Sequence, residues 1–287
     1  MHGNKTMITE VRKMKKDKMK IDKIIVIILL TIGGILMLTP FIWMIFSSFK
    51  HANEAMLVPP TLFPKVPTLE NYIKLFEELN FLVYLKNTLI VVAIFFIGLL
   101  FNAMAGYAFG KFKFPGKKFL FYMVLATMMI PSQVTMIPVY LILNKMGLIN
   151  TMLGIVLPGL VGAFNIFLFK QFMGGVPNEL MEAARIDGAG EYYIFFKLII
   201  PISKPILAVQ GILTFIAGWN NFLWPLIIAN DEKFYTLSVG LSLLKGQNVT
   251  NFALQMAGAS IMVVPIMIIF CIFQKHIMEG FVTSGIK

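Results

Sequence analysis

The 287-residue chain has a single cysteine, Cys271, three histidines and only 14% charged residues. One cysteine excludes a disulfide framework, and no CxxC pair or Cys/His metal spacing is present. His2, His51 and His276 are scattered over termini and loops, so neither a histidine metal site nor a catalytic triad is expected. Ordinary soluble domains carry about 25% charged residues. That deficit, beside 58% hydrophobic residues and 22 glycines, excludes disorder and a collagen-like chain and argues against a soluble enzyme. Most of the surface is expected to face lipid.

A phosphate loop is missing too. The string GYAFGK at Gly106–Lys111 is one residue short of the required spacing, and Phe112 stands where Ser or Thr is needed. Gly106 and Gly110 read better as a small-xxx-small helix contact. The chain is therefore not expected to be an enzyme or to bind a cofactor itself.

What the chain does have is long apolar runs. A helix needs about 20 apolar residues to cross a bilayer, and six uncharged stretches meet or approach that length. They are Ile24–Phe46, Thr88–Phe109, Phe119–Leu143, Thr151–Phe169, Ile206–Ala229 and Phe252–Phe273. The ten-residue alternation of a membrane β-barrel is absent. The reading is an all-α membrane protein of six transmembrane helices. The first run is too long for a typical signal-peptide core and lacks a clear small-residue cleavage site, so it is expected to be retained.

Net charge is +11, but its position matters more than its size. Arg12, Lys13, Lys15, Lys16, Lys18, Lys20 and Lys23 directly precede the first apolar run, so residues 1–23 form a basic segment before a membrane domain spanning 24–287. Next to a hydrophobic segment such a cluster is a topology signal, not a nucleic-acid arm. With both termini cytoplasmic, inside segments carry 18 Lys and Arg and outside loops 7. The positive-inside rule favours that orientation. Outside, Pro59, Pro60, Pro64 and Pro67 favour an extended entry into LENYIKLFEELNF, which suits an interfacial helix.

Polar groups within spans usually face a protein interior or a wet cavity. The candidates are Asn102, Ser132, Gln133, Thr135, Asn165, Asn220, Asn221, Gln255 and Ser260. None of the spans contains a charged side chain, which argues against a proton relay or an ion-coupled carrier. Neutral amides and hydroxyls beside Trp219 and Trp224 suit a polyhydroxy solute, which exchanges hydrogen bonds and stacks on rings. Interhelical amide bonds with aromatic packing would account for the same residues. Pro131 and Pro138 bracket Ser132, Gln133 and Thr135, so the third helix is expected to break where it lines a pathway. Asn248-Val249-Thr250 matches a glycosylation sequon, to which no weight is given.

The longest inside connection, 174–205, predicts a helix–turn–helix. Pro177-Asn178 reads as a helix start with the Asn178 side chain able to cap, Gly188-Ala189-Gly190 as a stop, and Glu191 as a second start before Pro201 and Pro205. Ala183 and Ala184 leave room for another surface. From the residues alone, a loop packed on its own helix ends and a docking element stand equally.

The string EAARIDGAG, followed after nine residues from Gly188 by Leu198-x-Ile200-Pro201, resembles the EAA motif of ABC importer permeases. TPFIWMIFSSFK, NYIKLF, AGYAFGKFKFPGKK, WNNFLWPLII and the C-terminal HIMEGFVTSGIK are similar to the MalG-like half of maltose and multiple-sugar systems. The resemblance implies a type I ABC importer permease (MetI-like) fold in a bacterial plasma membrane. It implies a permease for a neutral di- or oligosaccharide, with a glycerol-phosphate permease and a non-ABC channel or assembly protein as alternatives. It also implies a coupling role for Glu182, Ala183, Ala184, Asp187, Gly188 and Pro201. Glu182 would meet a basic group of an ATPase, the alanines would allow close seating, and Gly188 would make the turn. The implied partners are a second homologous permease, an ATPase dimer that binds ATP and Mg, an extracytoplasmic sugar-binding protein met through Asn230–Asn251, and membrane lipid. Solute would be held mainly by the partner permease, with Ser132, Gln133, Asn165, Trp219, Asn220, Asn221 and Trp224 as pathway candidates here.

Overall fold

The computed structural model describes residues 3–78, 80–247 and 251–284; the sequon Asn248-Val249-Thr250 and the last three residues of the C-terminal tail lie outside these. Among the described residues every regular element is helical. The elements begin with α1 (Gly3–Ser48), α2 (Ala52–Ala55), α3 (Glu70–Glu78) and α4 (Phe81–Lys111). They continue with α5 (Lys117–Met128), α6 (Ser132–Lys145), α7 (Met152–Val156), α8 (Ala163–Gly174), α9 (Asn178–Ile186), α10 (Glu191–Tyr193) and α11 (Ile200–Ile202). The chain ends through α12 (Lys204–Trp219), α13 (Leu223–Ile228), α14 (Leu237–Gln247) and α15 (Phe252–Ser284).

Four stretches are long and apolar enough to cross a membrane without a sharp bend: Asp22–Ser48, Phe81–Lys111, Lys204–Ile228 and Phe252–Gln274. The other two expected spans are not single helices. Phe119–Leu143 is the pair α5 and α6, bent by 103° from a straight course, and Thr151–Phe169 is α7 with its 3-10 turn and α8, bent by 41°. Counting each bent pair as one gives six. The sharper break has a local cause. Pro131 has no N–H to offer and disfavours helical backbone at Ile130, so α5 ends in a turn and α6 restarts at Ser132. At 12 residues α5 is about 18 Å long, short of the ~30 Å hydrocarbon core.

In lipid, helices gain little from hiding apolar surface from one another, so close backbone contact matters more. The α4–α8 contact is built on this. A Cβ at Gly106 would collide with Phe169 and stand 2.9 Å from the Lys170 nitrogen, and one at Gly110 would lie 3.2 Å from the Gly174 nitrogen. The small-xxx-small reading therefore holds. Asn102, one turn earlier, accepts from the Gly162 N–H at 3.1 Å and donates to the Leu160 carbonyl at 3.3 Å. These are backbone groups freed at the α7–α8 break, so Asn102 stabilises that break and is not turned toward solute.

Outside the spans, α3 is the expected helix, but it is fastened down. Leu75 is fully buried in a cluster with Tyr84, Trp219 and Leu254. Asn71 donates to the Ser48 and Lys50 carbonyls, both at 2.8 Å, and the buried Lys50 ammonium donates to the Thr61 carbonyl. By contrast, Ile24–Leu30 of α1 are all exposed, and the helix packs mainly on α15, with Phe46 and Ser48 near its C-terminus also touching Phe63, Asn71 and Tyr72.

Candidate functional site

Two places combine chemistry with position. The first is the loop between α8 and α12. Pro177 takes the cap position of α9, so Asn178 is the first helical residue; its side chain accepts from Lys111 Nζ at 3.0 Å instead of capping the helix. Lys111 also donates to the Gly174 and Val176 carbonyls, which ties the end of α4 to the entry of the loop. At the other end Gly188 has φ +85°, a left-handed conformation that L side chains rarely adopt. Its N–H donates to the Arg185 carbonyl at 3.0 Å and the Ala189 N–H to the Ala184 carbonyl at 2.9 Å, which closes the helix.

The two faces of α9 differ. Met181 is buried at 2% exposure, and Ala184, one turn on, packs against the same cluster of Tyr107, Phe169, Met173, Ile194 and Phe195. Glu182, Ala183, Asp187 and Gly188 are exposed, as is Ile186 at 86%. Ala184 thus serves the inward seat and Ala183 the outward surface, a division that the motif string does not reveal. Tyr107 donates to Met181 Sδ at 3.6 Å and to Glu191 Oε2 at 3.4 Å, while Arg185 Nε pairs with Glu191 Oε1 at 2.7 Å. The Glu191 carboxylate holds the Arg185 guanidinium above its already high ordinary value. Together these residues join α9, α10 and the end of α4 into one body.

Beyond α10 the backbone widens into a π-helical turn over Ile194–Ile199 before Pro201, and it breaks at Ser203 before Lys204-Pro205. Prolines that cannot donate, placed one turn apart, account for the irregularity. Tyr107, Met181, Arg185 and Glu191 were not singled out as a unit in the sequence. Their association joins positions 84 residues apart and leaves no local signal.

The second place is a cavity of about 450 Å³ in the membrane-spanning part, built where three spans are interrupted. Ser132, Gln133 and Thr135 come from the first turns of α6, just past the Pro131 break. Pro158 and Gly159 come from the 3-10 turn between α7 and α8, and Asn221 and Trp224 from the break between α12 and α13. Interrupted helices expose backbone and side-chain polar groups, and in a membrane such irregular backbone is tolerated where it lines a cavity or is buried in protein. Thr135 Oγ1 donates back to the Ser132 carbonyl at 2.9 Å, and Trp224 Nε1 donates to the Gly154 carbonyl at 3.1 Å, which fixes the indole. The Asn221 side-chain amide has no hydrogen-bond partner among the described residues, and Gln133 has only a weak one, Ser132 Oγ at 3.4 Å. No lining residue is charged.

Of the seven pathway candidates, the cavity collects Ser132, Gln133, Asn221 and Trp224. The others lie elsewhere. Trp219 is 5% exposed, stacks on Phe215 and donates to the Met262 carbonyl at 3.0 Å, which is a packing role. Asn165 sits in the first turn of α8 against Gly162. Asn220 lines a different cavity with Gln255, between the α12–α13 break, α14 and α15. Ser260 is buried at 2% exposure. Phe95, Pro158 and Gly159 were missed, since nothing local distinguishes an apolar residue beside a cavity from one in a helix contact.

Residues 98–281 match the family described as "binding-protein-dependent transport system inner membrane component". The chain is 38% identical to the arabinooligosaccharides transport system permease protein AraQ of Halalkalibacterium halodurans, covering 90% of this chain and 96% of that protein. It is 31% identical to the diacetylchitobiose uptake system permease protein NgcG of Streptomyces coelicolor, covering 90% and 86%. It is 30% identical to the sn-glycerol-3-phosphate transport system permease protein UgpE of Brucella abortus, covering 90% and 95%. Among solved structures, a bacterial ABC transporter involved in the import of the acidic polysaccharide alginate superposes with a TM-score of 0.79 at 24% identity, covering 90% of this chain and 97% of that one. A family match over most of the chain and relatives aligned nearly end to end agree: the chain belongs to the binding-protein-dependent transport system inner-membrane components, multi-pass permeases of the bacterial inner membrane.

Proposed function

We propose that this chain is one permease subunit of an ATP-driven importer for a neutral oligosaccharide. The observation that carries the reading is the uncharged cavity at three helix breaks, where the Gln133 and Asn221 amides and the Trp224 indole are available to hydroxyls and to a sugar face. Relatives named for arabinooligosaccharides and diacetylchitobiose support this solute class. A relative named for glycerol phosphate raises a second solute, but an anion would need a cation along its path and the cavity lining has none.

In this reading the exposed face of α9 docks on an ATPase subunit of a pair, each holding ATP and Mg. Glu182 meets a basic group there, Ala183 allows close seating, and Asp187 and Gly188 end the helix at the contact. Motion of the ATPase reaches the spans through the seat of Met181 and Ala184 on α4 and α8, and through the π-helical turn and Pro201 into α12. A second, homologous permease completes the pathway. An extracytoplasmic sugar-binding protein delivers solute near the α13–α14 side. Both termini lie in the cytoplasm, and the sugar passes along the breaks.

The test is sugar-stimulated ATP hydrolysis and uptake by the complex reconstituted with its cognate partners. Asn221→Leu, which keeps the branched shape in a somewhat larger side chain and removes the amide, is expected to lower uptake about tenfold, the magnitude of one buried hydrogen bond to a neutral group, and to leave basal hydrolysis unchanged. Unaltered uptake of every sugar tested would remove the cavity from the pathway.

A further inference from the structure

The basic end of the bundle contains a crevice that neither the coupling loop nor the solute cavity uses. The end of α4, the start of α5 and the end of α8 enclose about 570 Å³, lined among others by Lys117, Lys118, Lys170, Gln171, Phe121 and Tyr122. No Asp or Glu lines it. Lys170 Nζ is positioned, lying 4.9 Å from the Phe121 ring centroid and donating to Gln171 Oε1 at 2.9 Å. Lys117 Nζ donates to the Phe112 carbonyl at 2.8 Å. Lys118 has no hydrogen bond or ion pair among the described residues. Three lysines therefore line one concavity whose hydrogen-bond acceptors are neutral, and an anion seated there would be attracted by all three.

The surroundings narrow the kind of anion. From the crevice, α5 runs into the apolar part of the bundle and presents Phe119, Tyr122 and Met123 at 67%, 65% and 53% exposure. A soluble phosphate would engage the lysines and leave this strip bare. An acidic protein surface would engage the lysines and leave the apolar strip without an apolar counterpart. A molecule with an anionic head and a long apolar tail satisfies both parts, and basic pockets between spanning helices are suited to such headgroups.

We propose that this crevice binds an anionic glycerophospholipid, its phosphate among Lys117, Lys118 and Lys170 and an acyl chain along α5. The test uses the purified full chain in neutral detergent, with native mass spectrometry during titration of phosphatidylglycerol or phosphatidylcholine of matched acyl chains. Phosphatidylglycerol is expected to be retained at least tenfold better, with the preference shrinking as salt is raised. The double variant K118Q/K170Q is expected to lose about 25-fold in that affinity, roughly fivefold per lysine. K118Q alone, which disturbs no contact, is expected to lose about fivefold, and K145Q at the far end of α6 nothing. Equal retention of the two lipids, undiminished phosphatidylglycerol binding by both Lys118 variants, or an equal loss in K145Q would overturn the proposal. So would full displacement of the lipid by millimolar inorganic phosphate, which would mark a site for a soluble anion.

Discussion

Gly188 shows how one residue sets the shape of the loop between α8 and α12. At φ +85° a side chain strains the backbone by about 1–2 kcal/mol, and a β-branched one more. No atom lies within 4 Å of where its Cβ would be, so the cost is conformational and not steric. Gly188→Val is therefore expected to displace the end of α9 without unfolding the spans, lowering coupled uptake at least tenfold while the complex still assembles. Gly188→Asn, whose side chain tolerates the left-handed region, is expected to keep more activity than Val. Uptake coupled to ATP hydrolysis as in the unaltered chain, measured in Gly188→Val, would refute a role for this turn. The neighbouring Arg185–Glu191 pair is partly exposed, so its part in stability is small, and its value lies in joining α9 to α10.

At the scale of elements, the α4–α8 pair packs closely because glycines let two backbones meet. Gly106→Leu would place a branched side chain where Phe169 and the Lys170 nitrogen already stand. The helices cannot both keep their position, and a cost of about 1–3 kcal/mol or more is expected. Thermal unfolding of the purified chain in detergent is expected to drop by several degrees, whereas Gly34→Leu, at a position with open space around it, is expected to leave it unchanged. Equal melting of the two variants would mean that the glycine contact is not what holds the pair. The broken elements follow the opposite logic. Pro131 and the Asn220–Phe222 break interrupt their helices, and Ser132, Gln133, Asn221 and Trp224 beside these interruptions line the cavity of about 450 Å³.

For the whole molecule, the arrangement of charge predicts its orientation. Lys113 lies in the connection at the basic end, and Lys65 lies in the proline-rich segment at the opposite end; both are exposed. In a Cys271→Ala background, Lys113→Cys is expected to react with a membrane-impermeant maleimide only after the cytoplasmic face is opened, and Lys65→Cys in intact spheroplasts. The reverse labelling pattern would invert the topology and detach α9 from any cytoplasmic ATPase. The exposed apolar length of α1 has the same whole-molecule meaning. A helix that buries almost none of its apolar window within its own chain must be covered by lipid or by another subunit.

Composition and apolar run length were enough to establish a helical membrane protein, because crossing a hydrocarbon core imposes a length that can be counted. Gly188 as the stop of α9 and Pro131 as a break were also legible, since each acts through its own backbone. The bend between α7 and α8 was not. Whether the 19-residue apolar run Thr151–Phe169 is one straight helix or two bent by 41° depends on what the neighbouring helices offer the freed backbone groups, as Asn102 does for Leu160 and Gly162. The sorting of the polar candidates was likewise left to the tertiary structure. Asn220 and Asn221 are adjacent in the chain yet line different cavities, and Trp219 and Trp224 divide between packing and cavity wall. The physical reason is range: a span is decided by local hydropathy, whereas the surroundings of an amide are decided by helices distant in sequence.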